Sequence, residues 1–345
     1  MKYNLLGMTD ISVSTICLGT MTWGEQNTAE DGFEQMDYAI EHGINFFDTA
    51  EMYPVATRKE TYGRTEEIIG DWLHIRKNRS KLVIATKVCG PGRHHVRNGI
   101  SDFNERTIRS AVEGSLKRLK TDYIDLYQLH WPDRGWADFQ TLGQTAPIDP
   151  KGANREDTIA VLNELIQDGK IRSWGVSNES AWGVMDFVAR SKPIGAYLRP
   201  SSIQNAYNLL NRKYELALSE ISFREEISLL AYAPIAAGTL TGKYLYGNRP
   251  AGSRGALWPE NDRYFNPHAE SATQEYVSLA AEWDIAPEIL AHAFVLSRPF
   301  LTSSIVGATT LTHLERAISA LDFSIPDELA TQLELLHRKY LIPAP

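Results

Sequence analysis

The chain has 345 residues, 43 % hydrophobic and 23 % charged, a globular balance with room for one large α/β domain or two ordinary ones. Its 35 Lys and Arg against 43 Asp and Glu give a formal charge of −8, which speaks against nucleic acid as partner. Only two cysteines, no signal-peptide core at the N-terminus and no apolar run long enough to span a bilayer point to a cytoplasmic protein with buried thiols and no membrane role.

Taken in order, the first twenty residues read as a small hairpin, with Gly7 to Asp10 as the turn, leading into a strand near residue 16. Phe33, Met36 and Ile40 recur at helical spacing and Gly43 stands where a glycine ends a helix. Ile44 to Phe47 then forms a short apolar run that stops at Asp48, with Tyr53 five residues on. The same unit repeats. Residues 65–77 read as a helix before the strand Leu82 to Thr86 and Lys87; 104–120 read as a helix before Tyr123 to Leu129 and His130. Residues 155–168 read as a helix stopped by Gly169, before Ile171 to Val176 and Ser177-Asn178. Shorter strands are expected at Pro200 to Ile203, Ser228 to Ala231 and Ser303 to Val306, ending at Gln204, Tyr232 and Gly307.

Eight strands alternating with helices predict one α/β domain over residues 1–345, a closed (β/α)8 TIM barrel with an N-terminal β-hairpin; a doubly wound open sheet is the alternative. Trp131 to Asn154 and Gly247 to Pro267 are rich in Gly, Pro, Asp and Asn, and read as long loops at the C-terminal face.

In such a barrel Asp48, Tyr53, Lys87 and His130 converge on one mouth. An ammonium beside a tyrosine favours the phenolate and so eases release of the proton. Asp48 supplies the counter-charge a sunken lysine needs, and a neutral histidine polarises a carbonyl oxygen. Each residue alone has a plainer reading: helix cap, core tyrosine, strand end, structural histidine. Matching positions on strands 39 and 43 residues apart favour the chemical one. Other chemistries lack their patterns. His94-His95 diverge and no HExxH or CxxC is present, so no metal is expected; GTLTGKY (238–244) has the wrong spacing for a P-loop, and GTMTWG (19–24) for a dinucleotide turn.

The sequence resembles the aldo-keto reductase superfamily, in particular the branch of bacterial Tas-like proteins and potassium-channel β subunits. The likeness rests on GTMTWG (19–24), DTAEMY (48–53), ATK (85–87), His130-Trp131-Pro132, GKIRSWGVSN (169–178), QNAYNLLNR (204–212), YAPIAAGTLTGKY (232–244) and IVGATT (305–310). The resemblance implies a barrel that binds NADP(H) without a Rossmann fold and reduces a small-molecule carbonyl substrate. It implies Tyr53 as general acid, Lys87 and Asp48 as the pair that tunes it, and His130 as the group orienting the carbonyl. Ser177, Asn178 and Gln204 would hold the carboxamide and Tyr232 would stack on the nicotinamide. Thr20, Met21, Asp48, Ala233, Pro234, Ile235 and Ala237 are further expected cofactor contacts. Lys243 and Arg254 match positions near the pyrophosphate or 2′-phosphate, and the turn Gly307 to Thr310, with Thr309, opens a helix whose N-terminus suits a phosphate.

One departure concerns the adenine end. Relatives often carry Glu-Asn where this chain has Arg316-Ala317. Ala317 cannot hydrogen-bond the adenine, whereas Arg316 with His313 one turn earlier favours a 2′-phosphate, so NADPH is expected over NADH. The substrate mouth is expected to be lined by Trp23, Tyr53, His130, Trp131 and part of 132–154, suiting flat or apolar carbonyl compounds. The short C-terminal tail offers little closing loop, so a broadly selective enzyme is expected. The alternative is a nucleotide-binding, redox-sensing regulatory subunit of a partner protein.

Overall fold

A computed structural model describes residues 1–99, 102–135, 152–193, 195, 198–260 and 263–345. The hairpin pairs β1 (Tyr3–Leu5) with β2 (Ser12–Ser14) antiparallel. Eight parallel strands follow: β3 (Ile16–Gly19), β4 (Phe46–Asp48), β5 (Val83–Val88), β6 (Ile124–Leu129), β7 (Ile171–Ser177), β8 (Ser202–Ala206), β9 (Ser228–Tyr232) and β10 (Leu301–Gly307). Each pairs with its neighbour in sequence, and β10 closes onto β3. The closed barrel is the predicted architecture.

The helices between strands are α1 (Ala29–Glu41), α2 (Arg64–Arg76), α3 (Glu105–Leu119), α4 (Arg155–Gln167), α5 (Ala181–Ser191), α6 (Leu218–Glu225), α7 (Arg254–Leu257), α8 (Pro267–Glu282) and α9 (Pro287–Leu296). After β10 come α10 (Leu311–Ser319) and α11 (Asp327–Tyr340). Their ends follow from local chemistry. Thr28 and Asp31 form a reciprocal capping box on α1. Asn104, Asn154, Ser180, Asn266 and Thr310 cap α3, α4, α5, α8 and α10 with side-chain oxygens. Gly43, at φ 80°, and Gly169, at φ 70°, turn the chain out of α1 and α4. Gly70 lets α2 lie on α3, because a Cβ there would stand 2.1 Å from the Arg118 carbonyl oxygen.

Strand alternation divides the core in two. Phe47, Ile84, Tyr127, Ile203 and Leu229 face outward and pack under the helices. Phe46, Val83, Ala85, Leu126, Leu230 and Ile305 face inward and fill the barrel, and Leu6, Ile11 and Val13 of the hairpin region join them. Above that apolar layer the inward positions turn polar: Asp48, Lys87, Gln128 and Gln204, all buried. This explains two boundary differences. Lys87 lies within β5 and Gln204 within β8, where a reading by polarity places strand ends. The 247–267 stretch contains the short α7, and its residues 261–262 lie outside the described ones, as does 136–151 of the other long loop. No helix among the described residues is long and apolar enough to cross a membrane.

His292 on α9 is only 3 % exposed, and burial pulls its pKa down to about 4. The folded state then holds it neutral while the unfolded chain takes up a proton below the ordinary imidazole pKa, so stability falls as pH drops from about 6.5 towards 4. Urea unfolding at pH 7 and pH 5 is expected to show a loss of about 2 kcal/mol from this residue. His292→Leu should flatten the slope by that amount, and an unchanged slope would refute the assignment.

Candidate active site

The site is built from consecutive strand ends. Asp48 ends β4 and Lys87 is next to last in β5; Lys87 is 0 % and Asp48 3 % exposed. The Lys87 ammonium donates to Asp48 Oδ2 at 2.5 Å and to the Thr49 carbonyl at 2.8 Å. The other carboxylate oxygen of Asp48 accepts from the side chains of Gln128 at 3.1 Å and Gln204 at 2.8 Å. Burial pulls the Lys87 pKa down, but Asp48 and Tyr53 outweigh it and the net shift is upward, so the lysine stays charged.

Tyr53 sits in the turn after β4, its backbone held by bonds to Ala50 and Gly63. The Lys87 ammonium lies 5.0 Å from its ring centroid. Lys87 favours the phenolate as expected, but other effects outweigh it. Burial pushes the phenol pKa up, Asp48 adds to that, and Lys87 pulls the other way without reversing it. The lysine limits the cost of ionising a buried phenol; it does not make Tyr53 an unusually strong acid.

His130 follows β6, its ring edge-on to Tyr53 with centroids 5.6 Å apart at 79°. Burial, then the charges of Lys87 and Arg93, hold its pKa well below the usual imidazole range, so the ring is neutral. Its Nδ1 is buried without a partner, which leaves Nε2 as the nitrogen open to the mouth. Trp131 lies against it at 4.8 Å, its indole N–H donating to the Pro91 carbonyl, and Arg93 stands 6.0 Å from the Trp131 ring. Trp23 is placed elsewhere. It is 0 % exposed, packed under Gly32 and bonded to Gln35, because the turn after β3 folds back against α1.

The far side of the mouth is joined to these groups by hydrogen bonds. Asn178, in the left-handed region at φ 52°, donates to the His130 carbonyl at 2.9 Å and accepts from the Tyr232 hydroxyl at 2.7 Å. Ser177 donates to the Gln204 carbonyl at 2.8 Å. Gln204 spends its amide hydrogens on Asp48 and Gln128, leaving its carbonyl oxygen as the group it can offer a ligand. Thr20 donates to the Asp48 carbonyl, and the Met21 carbonyl accepts from Val55, which ties the loop after β3 to the one after β4. Beyond β9 the turn through Ala233, Pro234, Ile235 and Ala237 is tight, with Ala233, Ala236 and Ala237 at positive φ and Asn208 donating to the Ala233 carbonyl.

A third group of residues is cationic. Lys243 and Arg254 make no ion pair with any acid among the described residues, whereas most other arginines do. Arg254 is half-buried, lies in the field of Tyr264, Tyr53 and Tyr244, and burial pulls its pKa down. His313, in the first turn of α10, is bonded to Thr309 at 3.1 Å; burial, then Lys243, lowers its pKa. Gly307 ends β10 with open space around it. Arg316 is not drawn into this group: its guanidinium is half exposed and 3.8 Å from Glu288. Ala317 faces the core.

Sequence reasoning missed Gln128, although a lone glutamine inside the apolar strand IDLYQL was the available signal. It also missed the buried pairs Glu51–Arg97 and Arg134–Glu179, which pin the mouth loops and depend on contacts distant in sequence. A groove of about 580 Å³ between α2 and α3 is lined by charged residues. Its Arg64, Arg118 and Lys120 are each already paired with an acid, so it offers an anion little.

A closed parallel barrel with a buried Lys–Asp pair, a tyrosine and a neutral histidine at its C-terminal mouth has the layout of a barrel oxidoreductase. The chain matches the Aldo/keto reductase family over residues 15–337 and belongs to that family, whose members are oxidoreductases that generally use NAD(P)(H). It is 42 % identical to "Protein tas" of Escherichia coli (strain K12), over 100 % of both chains. It is 32 % identical to the uncharacterized oxidoreductase YrpG of Bacillus subtilis (strain 168), over 96 % of this chain and 95 % of that one. A probable voltage-gated potassium channel subunit beta of Arabidopsis thaliana is 31 % identical, over 93 % and 92 %.

Proposed function

We propose that the protein is an NADPH-dependent reductase of aldehydes and ketones, with Tyr53 as proton donor. The observation that carries this reading is the buried charged Lys87–Asp48 pair beneath Tyr53, beside a neutral His130. When bound, NADPH supplies the hydride to the carbonyl carbon. His130 Nε2–H donates to the carbonyl oxygen and holds it near Tyr53. The Tyr53 hydroxyl gives its proton to that oxygen as negative charge develops, and the Lys87 ammonium stabilises the phenolate left behind. Asp48 keeps Lys87 charged and in place, and Gln128 and Gln204 fix Asp48.

The residues present fit the cofactor. Lys243, Arg254 and the N-terminus of α10 offer positive charge, and at Lys243 and Arg254 no acid among the described residues neutralises it, as a polyanion requires. The Tyr232 ring and Ser177, Asn178 and Gln204 stand on the nicotinamide side. Lys243 beside His313 supports NADPH over NADH; Arg316 would have to leave Glu288 to assist. Two buried free cysteines suit a cytoplasmic protein. The test is cofactor consumption with a panel of aromatic aldehydes and diketones. Turnover is expected, and its absence with every compound would overturn the reading. Lys243→Met is expected to weaken NADPH about 10-fold and NADH much less; equal losses would remove Lys243 from the 2′-phosphate.

The likeness to a potassium channel subunit beta supports a second reading, a redox-sensing regulatory subunit. Binding of NADPH without turnover of any carbonyl compound would favour it.

A further inference from the structure

We propose that Arg263 is a positioning residue that makes the C-terminal tail part of the nicotinamide side of the site. This rests on the assignment of Tyr232 to that side. The Tyr232 hydroxyl has an anchor on each flank: it donates to Asn178 at 2.7 Å and accepts from Arg263 Nη1 at 3.2 Å. The Arg263 guanidinium also lies 5.7 Å from the Tyr232 ring centroid and 5.4 Å from that of Tyr264. Its Nε donates to the Pro345 carbonyl at 2.6 Å. One planar group therefore bridges two parts of the chain 113 residues apart (345 − 232), and its rigid fork couples the two bonds in direction.

The tail is docked at several points. Asn266 donates to the Pro343 carbonyl at 3.0 Å, His268 Nε2 lies 3.0 Å from the Tyr340 carbonyl, and Ala344 N–H donates to the Leu210 carbonyl at 3.2 Å. Ala344 is fully buried, unlike the frayed end expected of a short Pro-rich tail. The segment that receives it is fixed in turn, since Asn208 donates to both the Tyr264 hydroxyl and the Ala233 carbonyl. Arg254 lies a few residues upstream in the same segment. The tail thus reaches the site through an intermediary rather than as a closing loop.

If the tail lifts, Arg263 loses its Nε acceptor and with it the fixed direction of the bond it gives Tyr232, one of the anchors of that hydroxyl. Preorganisation of that ring is lost, which weakens whatever stacks on it. Coupling between binding equilibria is reciprocal, so a cofactor seated on Tyr232 must also hold the tail down.

The experiment combines two readouts, neither of them turnover. Fluorescence titration with NADPH should show Arg263→Ala raising Kd about 10-fold. Arg263→Lys, which keeps the charge without the fork, should restore less than about 3-fold of that. In a Tyr232→Phe background the Arg263→Ala effect should largely vanish. Hydrogen exchange of the 337–345 peptide should slow when saturating NADP+ is added to the wild type, and should not respond in Arg263→Ala. Unchanged or tighter binding by Arg263→Ala, full rescue by lysine, additive effects, or a tail indifferent to cofactor in the wild type would each overturn the proposal. A wild type that binds no NADPH would overturn the proposed function as well, so the two failures are distinguishable.

Discussion

Tyr53→Phe is expected to lower kcat for carbonyl reduction by about 10²–10⁴-fold while leaving NADPH affinity within about 2-fold. The ring, which fills the space between Lys87 and His130, is kept, so the variant removes the proposed proton donor and little of the packing. Stopped-flow and steady-state measurements with one aldehyde separate the two effects. An equal kcat in the variant would refute Tyr53 as donor; a loss confined to KM would make it a binding residue. The wild-type pH profile carries a second check. The proposed reduction needs Tyr53 protonated and His130 neutral. Burial raises the first pKa and lowers the second, so the rate should stay flat through neutral pH. It should fall only on the alkaline side of the ordinary phenol range and on the acid side of the ordinary imidazole range.

Asp48→Asn is expected to destabilise the fold by about 3–5 kcal/mol, because it leaves the Lys87 ammonium buried without a counter-charge. In the wild type the raised Lys87 pKa contributes stability that is fully present below the unfolded lysine value and lost as pH rises through the folded one. Without Asp48 the sign reverses. Burial then depresses the lysine pKa, and stability should increase as pH rises from neutral towards the unfolded value. Adding Lys87→Met should recover most of the stability at pH 7 and none of the activity. Urea unfolding of the wild type and the two variants at pH 7 and pH 9 checks this. Should the double variant prove as unstable as the single one, the loss would belong to the Gln128 and Gln204 bonds of Asp48 rather than to the charge.

The energetics explain which parts of the site could be read in advance. Asp48 and Lys87 stand where apolar runs end, with Tyr53 and His130 at the same ends, and burying a charge is too costly to occur without a partner. That cost makes them visible in one dimension. Gln128 and Gln204 belong to the same polar layer, yet as neutral residues they stand out less, and Lys87 and Gln204 passed for strand ends. Trp23 carried an aromatic signature that suits a binding wall as well as a core. Its side depends on how the turn after β3 folds back onto Gly32, which no local pattern encodes.

The alternation of eight strands and helices, and the glycines that end α1 and α4, were legible in the chain alone, as was the proposed set Asp48, Tyr53, Lys87 and His130, because 3.6- and 2-residue periodicities and turn preferences act locally. The remainder follows from packing after the barrel closes. Packing set the barrel interior as a polar layer above an apolar one and fixed the net direction of the Tyr53 pKa. It paired Arg316 with Glu288 and left Lys243 and Arg254 without an acid among the described residues. It also brought Arg263, Tyr232 and Pro345 together. These depend on which side chains meet after closure, and on how much water each keeps, and both are properties of the packed chain.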